Sequence, residues 1–194
     1  MRADAPVGRG EDEQVVEVDD AVVVRAAQGD PAAFAPLYVR YHPRVYRYLR
    51  LRAATDDEAA DLTQQVFLQA LDALPRYREH GLPFTAWLFR IARNVATDAH
   101  RRRRPTLDID LLPERLDIAS DDDPEVAALR RERVERLREQ LATLDPDKRE
   151  LLGLRFAAGL SSREIAPVVG RSEAAVKKQI TRIIQQLREQ YGDA

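Results

Sequence analysis

An all-α fold, with two small helical domains joined by a flexible acidic linker, is what this sequence predicts. Three observations point there. Apolar residues recur at steps of three and four, while the alternation of a half-buried strand is nearly absent. Capping residues stand directly before the apolar runs, as at Thr55 to Glu58 and Ser161 to Glu164. Finally, Pro105, Pro113, Pro124 and the run Asp121-Asp122-Asp123 gather in one stretch, 105–124, which reads as a linker.

The elements follow in order. Asp20 is placed to cap a first helix running through Gln28, and Asp30-Pro31 opens a second, with proline at its first turn. That second helix carries Phe34, Leu37, Tyr38, Tyr41, Val45 and Leu49. The capping box at Thr55 starts a helix that runs to about Leu74, and Pro75 to Pro83 forms a loop. Phe84 to about Arg104 is helical again, until Pro105 stops it. Beyond the linker, Val126, Leu129, Val134, Leu137, Leu141 and Leu144 trace one face of a long charged helix. Asp145-Pro146 breaks it, and a helix through Phe156 follows, ended by Gly159. Ser161 caps a short helix to Val169, whose Pro167 loses the hydrogen bond to the Arg163 carbonyl and threatens an early end or a kink. After Gly170-Arg171-Ser172, a last helix runs from Glu173 to about Tyr191.

Composition excludes several classes. The 194 residues contain no Cys, which rules out disulfides, thiol nucleophiles and thiolate-held metals, and fits a reducing cytosol. No apolar run approaches the ~20 residues of a membrane span, and the acidic start lacks a signal-peptide core. With eight Gly and no Gly-rich loop, a phosphate cradle is not expected. His42, His80 and His100 are scattered, with no partner at i+3 or i+4. No metal or cofactor is therefore expected.

The net charge of −2 hides segregation. Residues 1–20 hold two Arg against seven acids, and 1–19 reads as a disordered acidic tail. Residues 76–104 hold eight Arg against two acids, and 106–125 hold one Arg against eight acids. Basic stripes between acidic connectors suit local contacts with an anionic partner. A charge run alone fits a solvated helix face better, so the chemistry sharing the basic faces must decide.

Two places carry that chemistry. Residues 161–191 have the short helix, glycine turn and longer helix of a helix-turn-helix, whose second helix enters the major groove. In that second helix Val176, Ile180, Ile183, Ile184, Leu187 and Tyr191 fall on one side. Lys177, Lys178, Thr181, Arg182 and Gln185 fall on the other, offering cations to phosphates and polar groups to base edges. Ser172 caps the helix, and Arg171 stands beside it. In residues 84–104, Phe84, Trp87, Leu88, Ile91 and Val95 build an inner face, while Arg90, Asn94, Thr97, Asp98 and Arg101 lie opposite. The preceding loop offers Arg76, Tyr77, Arg78 and His80, an aromatic with cations of the kind that holds unstacked bases.

These motifs resemble a family. Asp61-Leu62-Thr63-Gln64-Gln65-Val66-Phe67-Leu68-Gln69-Ala70-Leu71, then Phe84 to Asn94, Asp98 and Arg101 to Arg104, is similar to region 2 of bacterial sigma-70 factors, most of all the extracytoplasmic-function class. Leu144-Asp145-Pro146, Leu154-Arg155-Phe156, Gly159-Leu160-Ser161, Gly170-Arg171-Ser172 and Val176-Lys177 resemble region 4. The resemblance covers about 20–104 and 125–190, which places region 2 at 20–104 and region 4 at 125–194. Pro36, Pro167 and the stretch Lys178 to Ile183 depart from the usual pattern.

The resemblance implies an RNA polymerase sigma factor and no enzyme. Asp61, Gln64, Gln65, Leu68 and Gln69 would meet the β′ clamp coiled coil of core RNA polymerase, away from the core positions Leu62, Val66, Ala70 and Leu71, with Phe67 between the faces. Core binding would also involve the β subunit. Arg76, Tyr77, Arg78, His80, Arg90, Asn94, Asp98 and Arg101 would bind the opened −10 promoter element. Arg171, Ser172, Lys177, Lys178, Thr181 and Arg182 would read the −35 element as duplex, and the acidic linker would thread the polymerase near its RNA exit path. Many members of the class are held by an anti-sigma partner. A stand-alone helix-turn-helix regulator is the rival reading, and a metal-assisted nuclease using Asp98 or the Asp121 cluster a more distant one.

Overall fold

A computed structural model describes residues 19–79, 81–102, 132, 136–137 and 139–192 of the chain, with side chains through Glu189. Asp19 caps helix α1 (Asp20–Gly29) by accepting the Ala21 N–H at 3.1 Å, one residue before the expected cap. Asp20 is used differently, because its carboxylate takes the Tyr41 hydroxyl and the Arg40 guanidinium. Asp30 caps a 3₁₀ turn, Pro31–Phe34, that leads into α2 (Ala35–Arg50). Pro36 sits in the first turn of α2, where its missing N–H has no partner to lose. Pro43 lies inside α2, and the helix carries on through it.

Thr55 caps α3 (Asp56–Ala73) by accepting the Glu58 N–H at 3.1 Å, while the Glu58 carboxylate accepts the Ala54 N–H at 2.8 Å. A 3₁₀ turn over Leu74–Arg76 closes α3. Gln28 then ties α1 to this turn, donating to the carbonyls of Leu74 at 3.0 Å and Tyr77 at 2.9 Å. Helix α4 (Phe84–Arg102) packs on α2 and α3. Its buried face is wider than a single stripe, because Phe89, Ala92, Ala96 and Ala99 join Phe84, Leu88 and Val95. Trp87 and Ile91 are half-buried at its margin.

Most of the expected long helix before Leu144 and all of the 105–124 linker lie outside the described residues, as does the 1–18 tail. Residues 139–143 are helical, and Leu144 is buried. Asp145 caps α5 (Pro146–Leu152), accepting the Lys148 N–H at 3.0 Å. The α-helix does not continue to Phe156 as expected. It widens into a π turn, Gly153–Ala157, where the Ala158 N–H reaches back to the Gly153 carbonyl at 3.0 Å. The extra residue turns Phe156 outward, 64% exposed.

A full capping box at Ser161 and Glu164 starts α6 (Ser162–Val169). Pro167 does not end it early. The helix reaches Val169 because Gly170, at φ 69°, adopts the left-handed cap and donates its N–H to the Ala166 carbonyl. Helix α7 (Glu173–Gly192) follows, burying Val176, Ile180 and Ile183, with Ile184 and Leu187 half-buried. The Tyr191 side chain lies outside the described residues. The described residues contain helices and no strand, as an all-α reading requires.

The two groups of helices, α1–α4 and α5–α7, are in contact. Helix α4 meets α6, and α2 meets the π turn, so their apolar residues form one continuous core. No helix among the described residues is long and apolar enough to cross a membrane.

Three tyrosines are held neutral by this packing. Burial pushes the Tyr77 hydroxyl up to about 12, with help from the nearby Glu79 and Asp20 charges, and burial also raises Tyr41 and Tyr48. A phenol whose folded pKa is raised gives stability that is complete below about pH 10 and drains away as pH rises toward the folded value. Thermal unfolding followed by circular dichroism should therefore give a midpoint that is steady from pH 7 to 9 and falls between about pH 10 and 12. Tyr77→Phe should flatten part of that fall.

Candidate nucleic-acid interface

Three exposed surfaces are built from these helices. The first is a ridge on α3. Ala59, Leu62, Val66 and Ala70 turn inward, and helical spacing puts Asp61, Gln64, Leu68 and Gln69 outward, with Gln65 half-buried at the edge. Leu68 is 65% exposed, a large apolar side chain standing among carboxylate and amides. Phe67 belongs to the core. Its ring packs on Phe34 at 6.3 Å, Tyr38 at 4.7 Å and His42 at 6.1 Å. Sequence reasoning missed Val39, 73% exposed on α2 beside the half-exposed Tyr38. Its one available signal was an apolar residue lying off the buried stripe.

The second surface runs along α4. Arg90, Asn94, Thr97, Asp98 and Arg101 are exposed together on one side. Arg76 and Arg78 are exposed on the loop before it, and Arg78 is tied down, donating to the carbonyls of Pro75 and Tyr77 at 2.9 Å each. His80 lies outside the described residues. Tyr77 corrects the expectation of an offered aromatic. Its ring is buried against Phe84 and Trp87, and its hydroxyl donates to the Leu82 carbonyl at 2.8 Å. The reason is area: an aromatic ring next to two others gains more by packing than by standing in water. Tyr77 therefore shapes the loop, while Arg76 and Arg78 supply its charge.

The third surface is the outer face of α7. Ser172 caps the helix through the Ala175 N–H at 3.3 Å, and Lys177, Lys178, Thr181, Arg182 and Gln185 all face solvent. Thr181 donates its hydroxyl to the Lys177 carbonyl at 3.0 Å, which leaves its oxygen free to accept. Arg171 is placed otherwise. It pairs with Asp147 at 2.5 Å and donates to Gln179 Oε1 at 2.8 Å, bracing α5 against α7. Cations and hydroxyls thus stand on a rigid helix presented end-on by a glycine-capped turn, a geometry fitted to duplex DNA.

Comparison with known proteins agrees with this geometry. Residues 37–106 match the family model of sigma-70 region 2, and residues 134–187 match that of sigma-70 region 4. The ECF RNA polymerase sigma factor SigD of Mycobacterium tuberculosis is 38% identical over 177 residues, covering 88% of this chain and 82% of SigD. This chain belongs to the extracytoplasmic-function sigma factors of the sigma-70 family. BldN of Streptomyces coelicolor, another such factor, is 36% identical over 157 residues, covering 80% of this chain and 59% of BldN. In three dimensions the sigma factor is similar to CnrH solved in complex with the cytosolic domain of CnrY, with a TM-score of 0.65 and 28% identity. That likeness covers 90% of this chain and 97% of CnrH. As a sigma factor the chain works with core RNA polymerase on promoter DNA.

The outer face of α7 takes no part in the sigma factor's core, while Arg171 braces α5 against α7 from the surface. Lys178→Ala and Arg182→Ala should each change stability by less than about 0.5 kcal/mol. Each should lower the slope of log affinity against log salt, measured for polymerase-bound factor on promoter duplex, by about 1. Arg171→Ala should instead lower the thermal midpoint.

Proposed function

We propose that this sigma factor divides its work between residues 20–104, acting as region 2, and 125–194, acting as region 4, with 105–124 as the tether. The observation that carries this reading is the pairing of two outward faces. The α3 ridge of Asp61, Gln64, Gln65, Leu68 and Gln69 has the mixed apolar and polar character of a protein-docking surface. The α4 and α7 faces are cationic and polar, the character of nucleic-acid contacts.

In this reading the α3 ridge docks on the β′ clamp coiled coil, and Tyr38 and Val39 extend the same surface. Arg76, Arg78, Arg90, Asn94, Asp98 and Arg101 hold the opened −10 strand, and His80 joins them from the loop. Lys177, Lys178, Thr181 and Arg182 read the −35 duplex, with Ser172 and Arg171 fixing the helix that carries them. The factor acts in the cytoplasm and without covalent chemistry. A protein that binds the opened strand more tightly than duplex shifts the melting equilibrium by that difference. Each good side-chain–base contact supplies about 1–3 kcal/mol of discrimination. Two modest affinities combine because the tether holds the second domain at high effective concentration once the first is bound. CnrH, solved with the cytosolic domain of CnrY, is the precedent for a protein partner on this fold.

The rival reading, a stand-alone helix-turn-helix regulator, leaves the α3 ridge without a task. The test is co-elution with core RNA polymerase on size exclusion at sub-micromolar protein. The wild-type chain should co-elute, and Asp61→Ala with Gln64→Ala should weaken the complex by roughly tenfold, as the loss of two interface contacts does. The double variant should keep its helicity. Unchanged co-elution would mean that the docking face lies elsewhere, and no association with tight binding to free duplex would favour the rival.

A further inference from the structure

Helix α2 carries a proline in its interior, where a helix accommodates one least well. Pro43 is exposed there, with helical residues on both sides of it. A proline has no N–H to give to the carbonyl four residues back, and its ring presses that carbonyl away from the helix axis. The residue four back is Val39, whose side chain is 73% exposed. Helix α2 therefore turns a backbone oxygen without its helical partner toward solvent. Helical geometry sets that oxygen between Val39, His42 and Pro43.

The cations of α2 are engaged elsewhere. Arg40 is held by Asp20 and Arg50 by Asp56. Arg44 donates to the carbonyls of Ala158 at 2.7 Å and Gly159 at 3.1 Å, and Arg47 donates to that of Ala157 at 3.2 Å. His42 is half-buried in an aromatic stack, with Tyr38 at 5.0 Å, Phe67 at 6.1 Å and Tyr46 at 6.5 Å. That stack joins the spot to the α3 ridge, because Phe67 directly precedes the exposed Leu68. The ridge side is rich in acceptors. Helix α3 carries Asp56, Asp57, Glu58, Asp61 and Asp72, and no Lys or Arg. A carbonyl oxygen can only accept, so the Val39 oxygen adds to the excess. The complement of such a surface is a cationic donor that reaches across an apolar rim.

We infer that the Val39 carbonyl, freed by Pro43, accepts a hydrogen bond from an Arg or Lys side chain of core RNA polymerase, and that Pro43 is a positioning residue for docking. This inference rests on the α3 ridge being the docking face, as proposed above. A hydrogen bond from a charged donor is roughly twice as strong as one between neutral groups. In the free factor the oxygen faces solvent, which is why α2 tolerates the loss of one backbone bond. Pro43 keeps the oxygen open for the partner.

Two substitutions restore the missing N–H. Pro43→Ala does so with a smaller side chain, and Pro43→Val does so while keeping apolar bulk at the surface. Both should hold or raise the thermal midpoint, because each returns a backbone bond to α2. Both should weaken the complex with core polymerase by about tenfold, as the loss of a hydrogen bond to a charged group does. The readout is a titration of labelled full-length factor with core polymerase, with Asp61→Ala/Gln64→Ala alongside. A firmer helix that docks less well is the expected pairing, since a proline serving only the fold would move both in the same direction. A midpoint that falls in both variants would overturn the inference and make Pro43 structural. Weakening by Pro43→Ala but not by Pro43→Val would overturn it too, assigning the effect to contact with the ring. If both Pro43 variants bind as wild type while the Asp61/Gln64 variant is weakened, the carbonyl has no role and the docking face stands. Wild-type binding by all three would overturn the docking face itself, and the carbonyl's role with it.

Discussion

Helix α4 carries more apolar surface than one neighbour can cover, and most of the architecture answers to that demand. Phe84, Leu88 and Val95 face α2 and α3 as an ordinary amphipathic stripe would. Phe89, Ala92, Ala96 and Ala99 widen the buried arc, and α6 packs against the same helix. The Phe89 ring is fully buried, edge-on to Tyr48 and beneath the Arg44 guanidinium. An aromatic of that size left in water would forfeit a few kcal/mol of burial. Tyr48 and Arg44 of α2 cover the ring, and the polar groups nearby must then be paired. Tyr48, Arg52 and Glu150 are the result.

The basic face of α4 is set by the same geometry. With apolar residues taking more than half of the helix circumference, Arg90, Asn94, Asp98 and Arg101 are confined to one narrow strip. That confinement concentrates charge in a line, which a nucleic-acid backbone can follow. Arg93 stands at the border between the two roles, half-buried and close enough to Glu150 to feel its charge.

What was legible in the sequence was the local part. The Leu62, Val66, Ala70 stripe of α3, the Ser161 capping box and the two-faced α7 all follow from periodicity and capping, which act within a few residues. The misreadings have a common physical origin. Tyr77 looked like an offered aromatic because Phe84 and Trp87, the rings it packs on, lie on another element. Asp20 looked like a cap, yet Tyr41 and Arg40 claim it. Glu150 gave no signal at all, since Tyr48 and Arg52 stand about a hundred positions away in the chain. Side chains whose role is set across the molecule are silent to any reading by spacing.

The brace between Arg171, Asp147 and Gln179 has a consequence for how such a protein can change over generations. It fixes α7 on α5 through side chains beside the outer face of α7, and the exposed residues of that face lie outside the core. Lys177, Lys178, Thr181, Arg182 and Gln185 can therefore be exchanged one at a time at little cost to the scaffold. Duplicated copies of such a gene could drift in the chemistry of this exposed face while keeping the same core and the same thermal limits.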